Sequence, residues 1–184
     1  MSTGYSENSS LARVQAIADY QFGNLAGTGL FPEGCEFLFS TTGRIRQIIY
    51  GGTRLATVRA SDGRLTLGIE GARRLHALLP APGYRVVIRD DVAEFVAQGK
   101  NAFAKHMVAA DPQIRAGDDV LVVAGGDRLI ACGAALLSGA EMLAFNYGVA
   151  VRVRQGSEKN ASGKHQPAPD EGDDEEARHA GRAD

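Results

Sequence analysis

Gly99-Lys100-Asn101 sets a residue that tolerates left-handed backbone beside an ammonium and an amide. Such a corner lets main chain approach an anion closely while the lysine neutralises it, which is the chemistry of a phosphate seat. Other residues that carry chemistry have plainer roles. His106, beside Lys105, has no carboxylate or nucleophile at a motif spacing, so it is read as a strand residue or a base-stacking group rather than a general base. His76 is expected on a helix surface. The pairs Asp90-Asp91 and Asp118-Asp119 fall at an expected helix start and an expected turn, where aspartate satisfies backbone donors. Gly-Lys-Asn lacks the hydroxyl residue and the upstream glycine of a nucleotide-binding P-loop. Cys35 and Cys132 stand alone on apolar strands with no Cys-x-x-Cys or His pair, so both are expected to be buried thiols, with no metal or cofactor implied.

The elements that must position the corner can be read from the flanking residues. Arg85-Val86-Val87-Ile88 is a β-branched strand candidate. Asp91 and Glu94 have the spacing of a capping box, Val92, Phe95 and Val96 share a helical face, and Gly99 stops the helix. Ala102 to Val108 reads as a strand, on whose face Phe103, Lys105 and Met107 alternate with Ala102, Ala104, His106 and Val108. Phe103 is assigned to the core, with base stacking as the competing role. Asp111 to Arg115 is a short helical turn, Val120 to Val123 a strand, Gly125-Gly126-Asp127 a hairpin tip, and Leu129 to Leu137 a return strand in which Gly133 marks a bend or bulge. A brief helix from Glu141 to Phe145 precedes Val149 to Arg154, whose valines should face a core and whose arginines should face solvent.

Upstream, Leu11, Val14, Ala18 and Phe22 make an amphipathic first helix. Strands are expected at Glu36 to Ser40, Arg44 to Tyr50, Thr53 to Ala60 and Arg64 to Leu67, punctuated by Thr42-Gly43, Gly51-Gly52 and Asp62-Gly63. A helix from Glu70 to Leu79 ends before Pro80 and Pro82, which mark a boundary.

At the level of motifs, "AEFVAQGKNAFAKHMVAADPQIRAGDDVLVV" followed by "LLSGAEMLAFNYGVAVRVR" resembles the PUA domain, named for pseudouridine synthases and archaeosine transglycosylases. "ADYQFG" and "TGRIRQIIYGGTRLATVRASDGRLTLGIEGARRL" resemble the segment preceding the PUA domain in archaeosine tRNA-guanine transglycosylases. The resemblance implies an α+β chain: a flexible N-terminus over 1–10, a helix-plus-antiparallel-sheet module over 11–82, a mixed-strand pseudo-barrel over 84–154 and an acidic tail over 155–184. It further implies RNA binding, with Gly99, Lys100, Asn101, Ala102 and Lys105 at the contact turn and Arg152 and Arg154 as weaker candidates on the last strand. The partner implied is tRNA or another structured RNA, in connection with tRNA modification in the archaeosine pathway and alongside a modifying enzyme. The family's catalytic barrel, with its aspartate nucleophile and zinc-binding cysteines, has no counterpart in these 184 residues, so base exchange by this chain is not expected. A ribosome-associated adaptor is the alternative, because some translation factors also join an N-terminal module to a PUA domain. A protein-only scaffold is a third reading.

Charge bears on these readings. Four of 20 basic residues and eight of 22 acids lie after residue 155, so the body carries about +2 and the tail about −4. So small an excess requires modest affinity or a local patch. Arg44, Arg46, Arg54, Arg59 and Arg64, on adjoining hairpins, are candidates for such a patch and equally for a solvated sheet face. From Gln155 on, glycine, serine, proline and acids replace apolar periodicity, so that tail is expected to be disordered. Sixteen arginines against four lysines suggest a salt-adapted or GC-rich source. The first ten residues lack a basic start or an apolar stretch, no run reaches membrane-span length, and two unpaired cysteines fit a reducing compartment, so a cytoplasmic location is expected.

Overall fold

In the computed structural model, which describes residues 3–158, helix α1 spans Thr3–Phe22. Val14, Ala18 and Phe22 recur at four-residue steps and are buried, so the helix docks by the stripe its periodicity predicts. The helix begins at Thr3, within the segment over 1–10 expected to be flexible. Once the stripe is docked, each added helical residue gains a hydrogen bond at little cost, and the helix extends back through Ser9 and a buried Ser10. A short helix that the sequence reading lacks, α2 (Ala26–Leu30), seats Leu30 and Phe31 in the core.

Strands β1 (Glu36–Phe39), β2 (Ile45–Tyr50), β3 (Thr53–Val58) and β4 (Leu65–Leu67) form an antiparallel meander in chain order. Gly51, Gly52 and Gly63 hold positive φ at its tight turns, the conformation for which glycine is the default residue. Helix α3 (Ile69–Leu78) covers the meander, burying Ile69, Ala72 and Leu75.

The second half begins with β5 (Arg85–Ile88), a 3₁₀ turn at Asp90–Val92 and helix α4 (Ala93–Ala97). Strand β6 (Ala102–Phe103), a 3₁₀ turn at Ala104–His106, and strands β7 (Met107–Ala110), β8 (Asp119–Ala124) and β9 (Arg128–Ala135) come next. Helix α5 (Gly139–Ala144) and strand β10 (Val149–Gly156) complete it. The sheet order is β6-β10-β9-β8-β5-β7, with β5 and β8 parallel and the other pairs antiparallel. Its two edge strands, β6 and β7, are consecutive in the chain, so the turn Ala104–His106 bridges the gap of a nearly closed barrel. The expected continuous strand from Ala102 to Val108 is therefore two strands, because the chain must leave one edge of the sheet to enter the other.

Two local expectations need correction. Helix α4 has Val92 at its N-cap and no side-chain cap, because Arg89 takes the Asp91 carboxylate in a two-pronged pair at 3.0 and 2.6 Å. Among the described residues a capping box stands at Ser138 and Glu141, at the start of α5. Strand β10 runs to Gly156, beyond the expected end at Arg154; the remainder of the expected tail, from residue 159, lies outside the described residues.

Strand β8 joins the two halves. Val120 and Val122 enter the barrel core with Ile88, Val96, Ile130, Met142 and Val151, whereas Leu121 and Cys132 of β9 turn outward into the core of the first half. All six β8 residues are buried, which explains a strand that is apolar without alternation. Among the described residues, no helix is long and apolar enough to cross a membrane.

Candidate nucleic-acid interface

Helix α4 ends in a Schellman motif: Gly99 N–H donates to the Val96 carbonyl at 2.9 Å and Lys100 N–H to the Phe95 carbonyl at 3.1 Å. Gly99 has φ 96°, which a side chain would strain. Asn101 ties the corner to the last strand, its Oδ1 accepting from Val153 N–H at 3.1 Å. Ala102 is buried opposite Val151, and Phe103 pairs with Val149. Ala104 N–H donates to the Gly148 carbonyl at 3.0 Å, and Arg89 N–H to the His106 carbonyl at 3.0 Å. The corner is thus pinned on both sides while Lys100 and Lys105 remain exposed. Among the described residues neither lysine has an ion-pair partner, and neither has Arg152.

Beside the corner lies a cleft of about 410 Å³ walled by Ile88, Val92, Phe95, Phe103 and His106, with Lys100 at its rim. Phe103 is 42% exposed and Phe95 60%, so the assignment of Phe103 to the core is corrected. Strand β6 ends at Phe103 and is an edge strand, paired with β10. His106 lines the same cleft from the closing turn rather than from a strand. The sequence reading missed one further feature nearby. Phe145 and Tyr147 stack at 6.1 Å between centroids, and the Gly148 bond to Ala104 brings their loop against the Lys105 turn. The signal for it was two aromatics one residue apart before a glycine, on a loop too short to bury both.

Arg154 has its contacts elsewhere. Val153 pairs with Gly133 and Gln155 with Cys132, so Arg154 is the extra residue of a β-bulge. Its guanidinium donates to Asp119 Oδ1 at 2.7 Å and to the Leu67 carbonyl at 3.2 Å, at the seam between the two halves. Asp119, which also accepts from Leu67 N–H at 2.7 Å, is buried. Burial raises its carboxyl above the ordinary range, against the pull of Arg154. Burial, with Asp119 adding to it, pushes the neighbouring Cys132 thiol up to about 12. Arg154 is accordingly a structural clamp, and the two thiols are free and buried. Around the same seam Arg64 pairs with Asp118 at 2.6 Å, and Ile69 N–H donates to Gln155 Oε1 at 3.0 Å. His76 belongs to the seam too: its Nε2 is 3.1 Å from Asp127 Oδ2, which corrects its expected place on a helix surface. Buried Arg85 holds the other Asp127 oxygen at 2.8 Å. Of the five hairpin arginines, Arg59 and Arg64 are neutralised by Asp62 and Asp118, while Arg44 and Arg46 are exposed.

Residues 84–156, which carry this corner, match the PUA domain, and residues 12–82 match the patch-forming domain C2 of tRNA-guanine transglycosylase. The chain joins a transglycosylase C2 domain to a PUA domain. The tRNA-guanine(15) transglycosylase of Pyrococcus abyssi is 53% identical to it over 143 residues, which are 78% of this chain and 24% of that protein. The chain spans about a quarter of the length of the curated relatives it matches. Among solved structures, a hypothetical protein from Pyrococcus horikoshii shares its fold with a TM-score of 0.63 at 22% identity, covering 81% of this chain and 90% of that one. A conserved PUA domain protein from Thermoplasma acidophilum shares it with a TM-score of 0.52 at 21% identity, over 77% and 89% of the two chains. The C2 domain is the helix-wrapped meander and the PUA domain the nearly closed barrel, with the corner on the barrel's open edge.

Proposed function

We propose that this protein binds structured tRNA through the PUA corner and presents it for modification, in the archaeosine pathway, without performing base exchange itself. The observation that carries this reading is the pinned Gly99-Lys100 corner, whose two neighbouring ammonium groups are exposed and unpaired among the described residues. A preorganised backbone edge with free cations suits phosphate contact and recognition of shape more than reading of base sequence. The relatives named tRNA-guanine(15) transglycosylases support tRNA as the partner. Binding rather than catalysis accords with the seam, where Arg154 donates to Asp119 and the Cys132 thiol to the Leu67 carbonyl. Two buried free thiols fit a cytoplasmic setting.

The test is titration of tRNA over a range of salt. Replacing Lys100 and Lys105 together by glutamate should weaken binding at low salt and flatten the salt dependence by about 2 in log–log slope. Unchanged tRNA affinity would overturn the assignment of the corner. Enrichment with small ribosomal subunits together with indifference to free tRNA would overturn tRNA as the partner.

A further inference from the structure

The end of the described chain returns to the corner. Gly156 lies so close to α4 that an added Cβ would stand 1.9 Å from the Ala97 carbonyl oxygen and 2.8 Å from the Gly99 nitrogen. Glu158 N–H then donates to that same Ala97 carbonyl at 3.2 Å. The chain therefore leaves the barrel at a residue only three positions before Lys100, a Cα path of at most about 11 Å.

Downstream of this exit the sequence is strongly acidic: Asp170, Glu171, Asp173, Asp174, Glu175 and Glu176 place six carboxylates in seven positions. Asp170 is twelve positions beyond Glu158. A twelve-residue coil has a root-mean-square reach of about 20 Å, a span over which tethered carboxylates would meet the corner at an effective concentration on the order of millimolar. The cations near the exit are not equivalent as partners. Arg89 is paired with Asp91 and Arg154 with Asp119, whereas Lys100, Lys105 and Arg152 have no carboxylate partner among the described residues. The unpaired cations and the exit of the acidic segment are thus on one edge of the barrel.

We infer that the acidic segment Asp170–Glu176 docks on the Lys100–Lys105 corner of its own chain and competes there with the phosphates of RNA. Carboxylate oxygens offer the two ammonium groups the same charge-assisted contacts that phosphate oxygens do. The contact lies at an exposed surface, where screening acts over about 10 Å at roughly 0.1 M salt, so it is weak and yields to a denser polyanion. Its effect is to set a threshold that a phosphate-rich, shape-matched RNA passes and a sparse anion does not. The docking stands on geometry and charge alone; the competition rests on the RNA-binding reading.

The test compares the full chain with a full-length variant in which the six acids are replaced, D170N, E171Q, D173N, D174N, E175Q and E176Q. Amide NMR spectra at low salt without RNA should differ at Gly99 to Lys105, and the difference should vanish at high salt. Identical spectra over those residues overturn the docking. In tRNA titrations at low salt the neutralised variant should bind about threefold to tenfold more tightly. Equal affinity in the presence of the spectral difference overturns the competition. If neither protein binds tRNA while the spectra differ, the docking stands and the RNA-binding reading falls.

Discussion

Phe103 is a barrel residue whose ring stays in the open. It keeps 42% of its surface exposed beside Lys100, at the end of a two-residue strand. Truncation leaves no cavity of consequence, whereas a base stacked on the ring is worth roughly 1 to 3 kcal/mol. Phe103→Ala is therefore expected to weaken tRNA binding about fivefold or more, with a melting temperature within about 2 °C of the parent. A large fall in melting temperature with unchanged affinity would return the ring to the core. Alternation along Ala102 to Val108 failed at this residue because it presumes an unbroken strand. The break has no local signal: neither glycine nor proline occurs between Ala102 and Val108, and the turn arises from closure of the sheet. Gly99, by contrast, was legible, since glycine after an apolar helical face is the ordinary mark of a left-handed stop, and the motif closes as that rule requires. Asp91 and Glu94 show the limit of spacing as a signal, because a neighbouring arginine outbid the helix for the carboxylate.

The pairing of β9 with β10 is the element on which the corner leans, through Asn101 and Val153. At Gly133 an added Cβ would meet the Arg152 carbonyl oxygen at 2.2 Å, so the two strands approach more closely than any side chain allows. Gly133→Ala must push β10 outward and disturb the bulge that aims Arg154. It is expected to cost roughly 1 to 3 kcal/mol, or about 2 to 4 °C in melting temperature per kcal/mol, as read by circular dichroism. An unchanged melting curve would show that the strands part freely. The glycine marked the irregularity in the sequence, but the extra residue is on the facing strand, at Arg154. Which of two paired strands carries a bulge depends on the register between them, and register is a property of the sheet. The hairpins at Gly51-Gly52 and Asp62-Gly63 were readable for the opposite reason: two residues decide each turn.

Across the whole molecule the C2 and PUA domains share one seam rather than a linker. Leu121 and Cys132 of the barrel belong to the C2 core, Tyr84 packs edge-on to Phe22 at 5.3 Å, and Asp119 receives donors from both domains. Arg154→Ala would leave the buried Asp119 without its cation, a loss of roughly 2 to 4 kcal/mol. Denaturant unfolding should record that loss in both domains as a single transition, while tRNA affinity of the folded variant changes less than for the lysine pair. A loss of affinity without a loss of stability would put Arg154 back on the recognition surface. Alternating valines and arginines in Val149 to Arg154 pointed Arg154 outward, and only the second domain, packed against it, reveals the partner.

The order of the barrel strands has one more outcome. The corner is assembled from residues near 100 held by others near 150, because Asn101 waits for Val153 and Ala104 for Gly148. A newly made chain that stops before Gly148 lacks both anchors. On the proposed assignment of the corner, recognition would then serve as a check on completeness, since a copy without those anchors has no formed seat for nucleic acid.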